Sequence, residues 1–164
     1  MAERRSIFLK KMDFAGIFNI QEVYSLISDF FQTKEYERWE RLNEEVVDEE
    51  GRQVIVKLFP SKQVSDYMKV VMKVIFQFRD VKDVVIEVDG KKRNMHKGKA
   101  KVSIEAYMET DHEGKMNNSP FYFFVREFFD RFFYRSYVGK AEKKVISDAE
   151  QLLLIIKRYF NMTD

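Results

Sequence analysis

Between Tyr67 and Arg79 the chain alternates between apolar and polar side chains. Met68, Val70, Met72, Val74, Phe76 and Phe78 fall on one face, and Tyr67, Lys69, Lys73, Gln77 and Arg79 on the other. A two-residue period is that of a strand with one buried and one wetted face. The same period returns from Lys99 to Glu109, where Ala100, Val102, Ile104, Ala106 and Met108 oppose Lys99, Lys101, Ser103, Glu105, Tyr107 and Glu109. Between these runs, 84–88 forms a further short strand leading into Asp89-Gly90, a pair that tolerates the positive φ angles of a tight hairpin. Upstream, 38–47 and 53–59 flank the polar turn Asp48-Glu49-Glu50-Gly51 and predict another hairpin, ended by Pro60 and Ser61. Residues 5–14 have the length and composition of an opening strand. The antiparallel strands thus occupy 38–110.

The period changes near both ends of the chain. Val23, Tyr24, Ile27, Phe30 and Phe31 recur at three and four residues, which predicts an amphipathic helix over 19–33. Asn19 is its N-cap and Glu22 its capping-box partner. Ser119 followed by Pro120 starts a helix over 119–138. Seven phenylalanines and three tyrosines lie between Phe121 and Tyr137, more aromatic surface than one core-facing stripe uses, so this helix is covered on more than one side. Gly139 fits a helix-ending position. Ile146, Ala149, Leu153, Ile156 and Phe160 then mark a helix over 141–160, with Ser147 and Glu150 offering a second capping box. The fold class is α+β, one domain over 1–164.

Composition narrows the chemistry. The 164 residues include 16 Phe and 8 Tyr, 45% are hydrophobic, and the formal net charge is +2. That supplies a core without a metal or disulfide staple. The absence of cysteine excludes disulfides, thiol catalysis, iron–sulfur clusters and cysteine zinc sites. The six glycines are isolated, so no loop cradles phosphate. Asp111, His112 and Glu113 are adjacent on a turn and do not converge as ligands must, so neither a metal nor another cofactor is expected. Ile7, Phe8 and Leu9 are followed at once by Lys10 and Lys11, too short an apolar stretch for a secretory signal. The longest apolar runs have five residues, where a membrane span needs about 20. These features predict a cytoplasmic protein with no membrane span.

The order of strand, helix, antiparallel strands and long C-terminal helices resembles the helix-grip fold of the START-like and birch-pollen-allergen-like superfamily. The likeness rests on element order along nearly the whole chain. It implies a curved sheet wrapped on C-terminal helices, with a cavity between them for a hydrophobic or amphipathic, lipid-like small molecule. The implied wall is Met68, Val70, Met72, Val74 and Phe76 with Val102, Ile104, Ala106 and Met108, completed by Phe124, Phe128 and Phe132 from the helix. The chain departs from the allergen branch in two ways. Gly51 stands alone where that branch has a glycine-rich loop, and two C-terminal helices replace one.

Two further readings compete with the ligand cavity. Apolar stripes are also the ordinary core, since burying each such side chain contributes about 1.5–3 kcal/mol without any ligand. The surplus aromatic surface then serves a homodimer or a protein partner through the C-terminal helices. Alternatively, Lys91, Lys92, Arg93, Lys97, Lys99 and Lys101 surround His96 with no acid from Lys91 through Ile104, a cluster suited to nucleic acid. A hairpin tip so charged also protects sheet edges against aggregation. Trp39, Tyr107 and Arg79 are the polar side chains to inspect for a place in a cavity. No acid or base can be assigned to a reaction, so the expected function is non-catalytic binding.

Overall fold

The computed structural model describes residues 3–37, 41–49, 51–65, 68–110, 124 and 134–160. Their order is β1 (Glu3–Phe18), α1 (Ile20–Thr33), β2 (Arg41–Asp48), β3 (Gly51–Leu58), β4 (Ser61–Ser65), β5 (Met68–Val88), β6 (Lys91–Thr110) and α2 (Tyr134–Tyr159). The fold is α+β: among the described residues six strands form one antiparallel sheet that does not close, in the order β1-β6-β5-β3-β2, with β4 also on β5.

The alternation in β5 and β6 produces this sheet directly. Met72 stands opposite Ala106 and Val74 opposite Ile104, so the even-numbered apolar residues of both strands share one face. On β1, Phe14 pairs with Ala100 and joins that face. Both helices cover it. Val23, Ile27, Phe30 and Phe31 come from α1, and Val145, Ala149, Leu152 and Ile156 from α2. The α2 stripe therefore runs through Val145 and Leu152, with the predicted Ile146 and Leu153 only half-buried.

Four expectations are corrected by the pairing. Residues 84–88 are not a separate strand, because β5 runs unbroken from Met68 to Val88. A bulge between Arg79 and Lys82 shifts its register, and Asp80 there has φ 54°. The bulge moves burial from even positions to Val81, which is why the alternation looked as though it stopped. Gly98 on β6 lets the bulge sit close, since a Cβ there would lie 2.7 Å from the Arg79 carbonyl oxygen. Second, β6 starts at Lys91, not at 99, directly after the turn in which Asp89 and Gly90 both have positive φ. Third, β3 ends at Leu58, before Pro60, but a further short strand, β4, begins at Ser61. Leu58 faces Val74 and Ser61 faces Val71, so β4 resumes along β5 without a change of register, and the Met72 amide still donates to the Pro60 carbonyl.

The fourth correction concerns α2, which passes through Gly139 without a break. Glycine inside a helix costs about 0.5–1 kcal/mol relative to alanine, too little to stop a helix whose buried stripe packs on the sheet. Ser147 does not cap a new helix either. Its hydroxyl accepts from the Gln151 amide at 3.2 Å. Residues 119–133 of the predicted 119–138 helix, apart from Phe124, lie outside the described residues, as does the Asp111–Glu113 turn.

At the start of α1, Asn19 acts as the N-cap, its Oδ1 accepting from the Glu22 amide at 3.2 Å. The reciprocal half of the capping box is replaced by tertiary partners. The Asn19 amide donates to the Tyr159 hydroxyl at 3.0 Å, and that hydroxyl lies 2.9 Å from Glu22 Oε2. Arg93 pairs with the same carboxylate. The Ile20 amide donates to His96 Nδ1 at 3.3 Å. A helix leaves its first amides unpaired, and here α2 and β6 satisfy them, tying α1 to both. Burial raises the Tyr159 phenol to about 12, with the Glu22 carboxylate adding to the rise and the Asn19 backbone bond opposing it. Among the described residues, no helix is long and apolar enough to cross a membrane.

Candidate functional site

The sheet residues expected to wall a cavity are brought together on the helix-facing side of the sheet. Met68, Val70, Met72, Val74, Phe76, Val102, Ile104, Ala106 and Met108 are each no more than 3% exposed. Beside Phe76, under Val23 and Ile27 of α1, the free space is ≈ 20 Å³, room for about one water. Phe124 is 68% exposed and adds nothing to this layer. Phe128, Phe132 and Trp39 lie outside the described residues. Tyr107 is half-buried on the far side of the sheet, where Arg4 stacks 5.4 Å from its ring centroid. Burial pushes its phenol up, and Arg4 opposes that. Arg79 is exposed.

A larger opening lies at the margin of the layer, where β4 and β5 meet α2. It is a cleft of ≈ 280 Å³, and Val70 is the one described residue of the expected wall that reaches it. Val64, Val70, Ala141 and Val145 give it apolar walls. Ala141 and Val145 are four residues apart on α2 and so share a helix face, as do Lys140 and Lys144. Those two lysines are exposed at the cleft, and Lys62 of β4 stands across from them. No ion pair joins Lys140 or Lys144 to another described residue.

The cleft's inner end is polar and tightly held. Asp148 is 4% exposed and Tyr36 5%, and the tyrosine hydroxyl donates to Asp148 Oδ2 at 3.2 Å. Lys34 Nζ approaches the other carboxylate oxygen at 3.8 Å. A buried carboxylate is tolerated only with such partners. Burial raises the Tyr36 phenol well above its usual value, and the adjacent carboxylate adds to the rise. Lys62 Nζ lies 5.9 Å from the Tyr36 ring centroid and donates to the Lys34 carbonyl at 3.2 Å. With both Asp148 oxygens engaged, the carboxylate is a structural anchor. The groups free to meet a ligand are the lysine ammoniums and the apolar walls. Among the described residues, no group of His, Asp and Glu is placed to hold a metal ion.

The basic stretch is strand, not loop. Lys91, Arg93, Lys97, Lys99 and Lys101 are alternate-phase positions of β6, and Lys92 takes the opposite phase. Within it, His96 and Arg93 are used to hold α1, with His96 Nε2 also 3.6 Å from Asp83.

Tyr36 and Asp148 are 112 residues apart in sequence, and nothing local in the chain links them. One signal was present on α2. Asp148 follows Val145 by three residues and so interrupts the edge of the apolar stripe, a position where a charge needs a partner.

No protein-family model matches this chain, and no curated protein matches it.

Proposed function

We propose that the chain is a non-catalytic binding domain of helix-grip type that takes a small amphipathic anion in the cleft between β4, β5 and α2. The apolar body lies on Val64, Val70, Ala141 and Val145, and the anionic head meets Lys62, Lys140 and Lys144. The observation that carries this reading is the pairing of apolar walls with lysines that have no ion partner among the described residues. Sites for small molecules combine an apolar lining with a few placed polar groups, at volumes of about 300–1,000 Å³. At ≈ 280 Å³ the cleft suits a short acyl or aromatic acid rather than a sterol. The helix-grip assignment is supported by β1 lying beside the last strand, β6, and by α2 packing on the buried face of the sheet.

The test uses 8-anilinonaphthalene-1-sulfonate, an aromatic body with an anionic head. Its fluorescence should rise on binding, and decanoate should displace it while dodecylamine does not. The Lys140→Glu/Lys144→Glu variant should weaken binding at least tenfold. Equal binding by that variant, or indifference to decanoate, removes the cleft as the site.

A further inference from the structure

The sheet face turned away from the helices carries an arrangement that folding alone does not favour. Across β5 and β6, Arg79 stands directly opposite Lys99, and Lys82 directly opposite Lys97. Like charges in directly opposed positions destabilise a sheet, and here two such pairs flank the bulge. Lys101 extends the row on β6, opposite Gln77. All five cations are exposed. The neutralising groups are few: Asp80 lies 4.0 Å from Lys99, and Asp13 pairs in register with Lys101. Asp83 is engaged elsewhere, by Arg52 at 3.5 Å and by His96. A groove of ≈ 360 Å³ runs between Asp13, Ala15, Gln77, Arg79, Lys99 and Lys101.

We infer that this face docks the phosphate backbone of a nucleic acid. Charge complementarity and a linear shape favour this occupant. Alternate residues of a strand stand about 6.6–6.8 Å apart, so Lys97, Lys99 and Lys101 span roughly 13 Å. A nucleic-acid strand places one phosphate per about 3.4 Å of axis, so several phosphates fit this row, where a free anion fills one pair. Among the described residues the five cations have no aromatic neighbour on which bases could stack, so recognition is of backbone and not of sequence. An acidic bilayer is the less favoured occupant, because Ile17, opposite Lys97 and 50% exposed, is the single exposed large apolar side chain beside this row among the described residues. This site is separate from the cleft, and neither reading depends on the other.

Fluorescence anisotropy with a labelled 20-nucleotide strand and a 20-base-pair duplex of arbitrary sequence tests it. Five phosphate contacts predict salt slopes of about −3.5 and −4.5 respectively, a loss of roughly 100- to 500-fold between 50 and 200 mM salt. Lys97→Glu/Lys99→Glu should weaken binding more than tenfold while raising the melting midpoint, since each repulsive pair becomes attractive. Lys143→Glu, on the exposed side of α2, should bind as the parent does. If the glutamate variant does not melt cooperatively, Lys97→Gln/Lys99→Gln replaces it, with the same loss of binding expected. Failure of the parent to bind either probe at 50 mM salt overturns the inference. So does unchanged binding by the variants, or binding to phosphatidylserine vesicles with none to the nucleic acids.

Discussion

On the helix-facing side of β6, Ala100, Val102, Ile104, Ala106 and Met108 are no more than 3% exposed. On the opposite side of the same strand, Lys99 and Lys101 stand in solvent, and Lys99 faces another cation across the ladder. The first set is chosen by burial: each side chain contributes about 1.5–3 kcal/mol, and a charge there would be ruinous. The second set is under no such selection, and its like-charged pairs work weakly against the fold. A residue choice that stability explains is weak evidence for function, whereas one that stability opposes is stronger evidence. The cleft at α2 lies between these extremes, with apolar walls that belong to the core and lysines that do not.

The largest effect is expected on the inner face. Leu152, fully buried between α2 and the sheet, should cost about 2–5 kcal/mol on truncation to alanine, read as a shift of the urea midpoint. A loss under 1 kcal/mol would mean that the layer is loosely packed and holds room for a ligand after all.

The polar anchor gives a smaller effect. Tyr36→Phe removes a buried hydrogen bond to Asp148 and should cost about 1.5–3 kcal/mol, the range for bonds to charged groups. It should also alter alkaline unfolding. Tyr36 and Tyr159 hold their protons more tightly folded than at the ordinary value of 10.0. Their contribution is therefore complete below about pH 10 and is lost as pH rises through the folded values, about 12 for Tyr159. The variant should lose stability less steeply above pH 10, and an unchanged slope would place the titration elsewhere.

The smallest effect has the opposite sign. Gly139→Ala should raise stability by about 0.5–1 kcal/mol, because a Cβ at that position meets nothing within 4 Å. A decrease in the thermal midpoint would contradict the unbroken α2.

The inner layer was legible because period and burial coincide. Met68 to Phe78 and Ala100 to Met108 each announce their face without help from distant residues. Elements were misread where a local signal met a tertiary one. The bulge at Arg79–Lys82 shifts the phase of β5, so one strand read as two. Ser61–Ser65 is too short and polar to declare itself, and it is a strand because β5 supplies its partners. Gly139 signals a stop that the packing of Val145, Ala149 and Leu152 overrides. Lys91 to Lys97 read as a turn region, although pairing with Lys82 to Val88 makes them strand. The cleft was hidden for a different reason. Lys62, Val70, Lys140 and Asp148 are unremarkable singly, and only the approach of α2 to the β4–β5 margin makes them a site.

The position of β1 has a consequence for how the chain reaches this structure. Among the described residues β1 has no strand partner other than β6, with Glu3 against Thr110 and Phe18 against His96. During synthesis the opening strand therefore emerges long before the strand it must join. At about 5–20 residues per second, roughly a hundred intervening residues take on the order of 5–20 s. Throughout that interval Phe14 and Phe18, later among the most deeply packed side chains, have no β6 to cover them. Acquisition of the native sheet waits on the ribosome until Thr110 has left the exit tunnel.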